Sequence, residues 1–175
     1  MVPFGGWDMP VSYPAGTLSE HQACRTAAVV FDVSHRGTVR LEGPDAKARL
    51  QSAFTNDLDR IGPGRAQYTH LLDPGDASVR DDIIVWWVDD DRFDVMPNAS
   101  NTDGVTGALG EGAVDVTATR AILALQGPQA RTLLAPVAPE AAAVPRFGVV
   151  AFTWQGHDCV AAGTGYTGED GVEIA

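Results

Sequence analysis

Ile83-Ile84-Val85-Trp86-Trp87-Val88 is the stretch that most restricts how this chain folds. Six consecutive apolar residues, β-branched and aromatic, with no polar alternation, predict a strand covered on both faces. Asp81 and Asp82 stand directly before it, and Asp73-Pro74-Gly75-Asp76 carries the Pro and Gly punctuation of a turn. The two acids therefore sit where the chain drops from a surface loop into the core. An acid at such an edge is partly desolvated yet reachable, able to hold a cationic or N–H-bearing ligand or to exchange a proton with it. The other reading is a solvated turn acid followed by a strand-start acid, and the residues alone leave both open.

Bulk properties narrow the classes. With 45% hydrophobic and 20% charged residues in 175, the chain is ordinary globular material with enough length to bury a core. A formal net charge of -11 and only 12 scattered basic residues argue against nucleic acid, which needs clustered Lys and Arg, and against anionic membrane surfaces. The start, Met1-Val2-Pro3-Phe4-Gly5-Gly6-Trp7, lacks a basic region followed by an apolar run, and no apolar segment reaches spanning length. Cys24 and Cys159 are far apart, with no C-x-x-C and no His pair at ligand spacing. Two structural thiols in a cytoplasmic protein without a metal is the economical expectation.

Along the chain, Trp7 to Pro14 reads as extended. Thr17-Leu18-Ser19-Glu20 fits a capping box for a helix to about Ala28. Val29 to His35 reads as a strand closing on a polar pair, and Ser34 beside His35 makes a weak nucleophile pair because neighbours on a strand face opposite ways. Thr38-Val39-Arg40-Leu41 is a half-buried strand, followed by a helix opened by Gly43-Pro44-Asp45 with Pro at its first position. Strands at Gln67–Leu72 and Phe93–Met96 flank the opening one. Asn98, just past a strand end, is either an Asx turn or helix cap, or an amide offered to a polar heterocycle near Asp82. Further strands are expected at Val114–Thr117 and Ala121–Leu125. A second Gly-Pro opening at Gln126-Gly127-Pro128-Gln129 then hints at two βα units rather than a sequence repeat, and a hairpin follows around Gln155-Gly156-His157.

Gly163-Thr164-Gly165-Tyr166-Thr167-Gly168 satisfies G-x-G-x-x-G, but two acids, a Gly and the strand-like Val172-Glu173-Ile174 follow instead of a helix. A pyrophosphate needs a helix N-terminus there, so the stretch is a loop presenting Tyr166, with Glu173 on a strand. The chain ends at Ala175 in mid-strand pattern, as a piece of something longer would.

Phe31-Asp32-Val33-Ser34-His35, Asp81-Asp82-Ile83-Ile84-Val85 and Gly165 to Ile174, together with Val2 to Trp7 and Leu125-Gln126-Gly127-Pro128, carry a resemblance over essentially the whole chain. Taken in order, they resemble the T-protein family of the glycine cleavage system, tetrahydrofolate-dependent aminomethyltransferases. The resemblance implies an α+β fold with antiparallel sheets and flanking helices, in two intertwined folate-binding subdomains without the family's C-terminal β domain. Residues 1–37 plus 122–175 would form one subdomain, and 38–121 an inserted one carrying the paired acids. It implies transfer of the aminomethyl carbon from lipoylated H-protein to tetrahydrofolate with release of ammonia. Asp82 matches the catalytic aspartate, while Tyr68, Asn98, Tyr166 and Glu173 match folate-site residues, Glu173 as a two-point acceptor for the pterin edge. Neighbours on a strand point opposite ways, so only one of the two acids can face a ligand, and the resemblance implies that it is Asp82. Two departures stand out. Arg36 occupies a place where the family usually has Met, and the turn before the acids is about one residue longer, with Arg80 adjoining Asp81. Alternative readings are a related folate-dependent demethylase, and a non-catalytic folate-binding module, whose Lys-Gly-Cys signature is missing here.

Overall fold

Both Gly-Pro stretches interrupt the chain in the same way, and the architecture is built around them. The computed structural model describes residues 1–175. A hairpin of β1 (Val2–Phe4) and β2 (Trp7–Met9) precedes α1 (Thr17–Thr26) and β3 (Val29–Asp32). Then follow β4 (Val39–Glu42), α2 (Ala46–Ala53), β5 (Arg65–Leu72), β6 (Val79–Asp89), β7 (Arg92–Met96), α3 (Thr102–Leu109) and β8 (Val114–Asp115). The last stretch holds β9 (Leu123–Gln126), α4 (Ala130–Leu134), α5 (Pro139–Ala142), β10 (Val149–Trp154), β11 (His157–Ala162) and β12 (Gly171–Ile174). The fold is α+β with antiparallel sheets, and it divides into two units, Met1–His35 with Ala121–Ala175, and Arg36–Arg120.

Each unit holds one five-stranded sheet, ordered β5-β6-β7-β4-β8 in the inserted unit and β10-β11-β12-β9-β3 in the other. The plan is the same: a three-strand meander, then the strand that ends in Gly-Pro, then an edge strand. The register matches as well. Arg40 faces Asp94 and Val114, and at the corresponding place Ala124 faces Glu173 and Phe31. Gly43 N–H donates to Asp91 O at 2.9 Å, and Gly127 N–H to Asp170 O at 2.8 Å. Only the source of the edge strand differs, since β8 follows its meander whereas β3 comes from the start of the chain.

Neither proline lies inside its helix, contrary to the expectation. The helices begin at Ala46 and Ala130 after Asp45 and Gln129, which make no side-chain cap hydrogen bond. Gly43 (φ 115°) and Gly127 (φ 133°) reverse the chain, and their carbonyls accept from Ala46 and Ala130 N–H. Each Pro thus fills the second place of a four-residue turn, where its fixed φ is equally at home. The capping box fails similarly. Gly16 is the residue before α1, with no side-chain cap, and Glu20 Oε1 accepts instead from Tyr13 N–H at 2.9 Å. The turn closed by Gly16 N–H on Tyr13 O swings that amide over the helix start.

All six residues of the apolar run are 8% exposed or less. Ile83, Val85 and Trp87 pack into the core that α2 and α3 close, with Leu41, Leu50, Phe93, Val105 and Leu109. In the other unit Leu134, Ala138, Ala141, Val144, Ala161 and Val172 form the core. The strand expected over Val114–Thr117 stops at Asp115, and a single 3-10 turn covers Thr117–Thr119.

Candidate active site

Asp81 and Asp82 follow a one-residue bulge. Leu71 pairs with Asp81 and Leu72 with Val79, so Arg80 is the extra residue. A bulge at that point takes up a longer turn while leaving the alternation beyond it intact. Arg80 turns back onto the loop, where its guanidinium donates to Asp73 Oδ2, from Nε at 2.9 Å.

Asp81 is buried at 3% exposure and Asp82 is exposed. Both oxygens of Asp82 are engaged: Tyr68 O–H donates to Oδ2 and Asn98 Nδ2 to Oδ1, each at 2.7 Å. The phenol bond and then the amide bond hold the Asp82 carboxyl below its ordinary value, against the opposing effect of burial. The same contact raises the Tyr68 phenol and keeps it a donor. His70, directly across the ladder from Asp82, adds a small favourable charge effect and meets the Tyr68 ring edge-on at 5.3 Å. The outcome is a fixed negative charge facing outward. A carboxylate held this low is a poor proton acceptor near neutrality and a good stabiliser of developing positive charge.

Replacing Tyr68 by Phe removes the largest of these influences. Carbon-13 titration of the Asp82 carboxyl is expected to show its pKa rising in Tyr68→Phe, and an unchanged value would dismiss the phenol as the cause. The sign for stability follows. Because folding lowers this pKa, the contribution is present above the unfolded value near 4, and is lost as pH falls through the lower folded value. Tyr68→Phe is thus expected to weaken the acid sensitivity of unfolding that Asp82 contributes.

Asn98 caps no helix through its side chain. It lies two residues beyond Met96, the partner of Ile84, and so continues β7 alongside Asp82. Its Nδ2 also donates to Asp81 Oδ1 at 2.8 Å, and Asp81 further accepts from Asn98 N–H and Asn101 Nδ2. Sequence reasoning passed over Asn101 and His70. Their spacing from the acids carries no signal until the β5-β6-β7 register is known.

Tyr166 and Glu173 belong to the other unit. Glu173 is completely buried on β12 and accepts from the Thr164 hydroxyl. Tyr166, 55% exposed, borders a cavity of about 320 Å³ also lined by Glu20, His21, Cys24 and Phe31. Its loop is tied to α1 by Arg25, which donates to Thr167 O at 2.8 Å and to Glu169 at 2.9 Å. Ser34 is occupied structurally, its hydroxyl oxygen accepting from Ile122 N–H at 2.9 Å. Arg36 is buried, and Arg120 donates to its carbonyl; burial first, then the Arg36 charge, push the Arg120 guanidinium down to about 10.

Matched positions in the two sheets differ informatively. Arg40 grips Asp94 at two points, Nε to Oδ1 at 2.7 Å and a terminal nitrogen to Oδ2 at 3.1 Å. At the matching place Glu173 has Ala124 across from it. Fold and site together define an α+β protein of two matched antiparallel sheets, one bearing an exposed, ionised carboxylate and the other a buried one.

The chain belongs to the GCVT N-terminal domain family, which it matches over residues 1–175. It is 45% identical over 177 residues to an aminomethyltransferase of Mycobacterium tuberculosis (strain ATCC 25618 / H37Rv), covering 98% of this chain and 47% of that protein. It is 43% identical to that of Synechococcus sp. (strain RCC307), covering 99% and 50%. The glycine cleavage system aminomethyltransferase T from Bartonella henselae superposes with a TM-score of 0.89 at 33% identity, over 99% of this chain and 48% of that one. Heterotetrameric sarcosine oxidase from Corynebacterium sp. U-96, at 18% identity and a TM-score of 0.55 over 90% of this chain and 82% of that one, shares the fold alone. The chain spans about half the length of the curated relatives it matches. None of its helices is long and apolar enough to cross a membrane.

Proposed function

We propose that this chain is the folate-handling part of an aminomethyltransferase of the glycine cleavage system, acting on aminomethyl-loaded, lipoylated H-protein with tetrahydrofolate as acceptor and releasing ammonia. The observation that carries the reading is Asp82, exposed yet locked as a carboxylate by Tyr68 and Asn98. Its charge offsets the positive charge that develops as the bond to the departing amine breaks. The lowered pKa favours this electrostatic task over proton donation.

The family resemblance offers Tyr166 and Glu173 to the pteridine. Its 2-amino group and neighbouring ring N–H present a fork like that of a guanidinium. In one sheet a real guanidinium, from Arg40, occupies the matching acid Asp94; in the other, the small Ala124 stands across from Glu173. Glu173 would accept the fork at two points, and Tyr166 would offer its ring. Tetrahydrofolate supplies the amine nitrogens that take up the carbon.

Titration of tetrahydrofolate against the chain tests this. At about a hundredfold excess over Kd, linkage adds about 2.7 kcal/mol, which raises the melting temperature of a chain this size by roughly 5–10 °C. Glu173→Gln, losing a charge-assisted acceptor worth about 1.5–3 kcal/mol, is expected to weaken binding about 10- to 100-fold. No melting shift at saturation would sink the binding reading; equal titration of both proteins would remove Glu173 from it.

A further inference from the structure

Asp81 touches nothing in the reaction proposed above, yet it is the more elaborately held of the two acids. It accepts from Asn98 N–H at 3.1 Å, Asn98 Nδ2 at 2.8 Å and Asn101 Nδ2 at 2.8 Å, at 3% exposure. Asn98 Nδ2 donates in addition to Asp82 Oδ1 at 2.7 Å and approaches the Asp82 main-chain carbonyl at 3.2 Å. One amide nitrogen therefore stands between two carboxylates. Only the nitrogen end of the amide suits that place, because the oxygen would confront two acceptors.

We propose that Asp81 is a positioning residue for Asp82, acting through Asn98. One amide hydrogen is spent on the buried acid, which fixes the plane of the side chain and delivers the other hydrogen to the exposed one. The main-chain bond from Asn98 N–H to Asp81 Oδ2 pins the same residue from behind, and Asn101 holds the buried carboxylate in place. Removing the Asp81 charge takes away one of the acceptors that fix the plane of the amide, so its bond to Asp82 loosens and Tyr68 is left as the firmer donor of the pair that holds Asp82. The adjacency of the acids is then functional, one preparing the donor that the other uses. This rests on Asp82 being the reacting-centre acid.

A double-mutant cycle tests it, in a protein extended to the full length of the relatives and assayed with loaded H-protein and tetrahydrofolate. Asp81→Asn and Asn98→Ala are each expected to lower kcat about 10-fold, Asp81→Asn with KM for tetrahydrofolate within about twofold, and the double variant is expected to fall no further than Asn98→Ala. The acidic limb of the pH–rate profile should move to higher pH in Asn98→Ala, as Asp82 loses a donor while the Asp81 charge stays beside it; a merely structural role leaves that limb in place. Multiplying effects, or an unmoved limb, overturn the proposal. If Asp81→Asn does not fold, the wild type answers by NMR: two resolved, slowly exchanging Asn98 side-chain protons are expected, and exchange as fast as in an exposed amide overturns it. Wild-type transfer by Asp82→Asn would instead overturn the underlying reading of the site.

Discussion

Asp82→Asn is expected to lower aminomethyl transfer about 10²- to 10³-fold, the loss of ~3–4 kcal/mol typical of removing one electrostatic group aimed at developing charge. Asparagine keeps the size of the side chain and an oxygen to accept from Tyr68. It removes the charge and turns a second amide toward Asn98 Nδ2, a donor. Tetrahydrofolate binding is expected to persist, so the loss should appear in kcat. The measurement is single-turnover transfer from loaded H-protein in a protein of the relatives' full length, and a wild-type rate there would deny Asp82 its role.

The second large effect concerns stability. Gly127→Ala is expected to destabilise the chain by about 3–5 kcal/mol, seen as a lower urea midpoint. Its φ of 133° is foreign to alanine, and an added Cβ would lie 2.4 Å from Ala27 O, a backbone atom with nowhere to go. Gly43 supplies the comparison. There φ is 115° but the nearest atom is Asp45 Oδ1 at 3.6 Å, so Gly43→Ala should cost only the conformational strain, about 1–3 kcal/mol. Equal losses at the two sites would show that the close contact contributes nothing.

Much of this was legible before any coordinates. The apolar run announced a doubly covered strand because six unbroken apolar residues leave no wet face. Asp81-Asp82 and Asn98 drew attention by standing at strand ends. What was hidden depended on register. The bulge at Arg80 has no composition signal, and Asn101, in the turn after β7, and His70, on β5, reach the acids on β6 only through the pairing of the strands. The capping box failed because Tyr13-Pro14-Ala15-Gly16 forms its own turn and offers Glu20 a different amide. The Gly-Pro echo was visible as a dipeptide, but its extension to two sheets of equal order rests on pairings that sequence similarity between the halves does not display.

The matched sheets differ in where their last strand comes from, and this sets an order of assembly. Everything the inserted sheet needs, β4 to β8, is contiguous in the chain. During synthesis it is able to close while the second meander is still unmade. The other sheet is interrupted: β3 leaves the ribosome early and waits, without β9, until the whole inserted unit has been made. Val30 and Phe31 on that waiting strand are apolar, and they remain 62% and 38% exposed even after pairing. The nascent chain thus carries an open, sticky strand edge for the time it takes to translate the insertion, and early closure of the inserted unit shortens the tether across which β9 must find it.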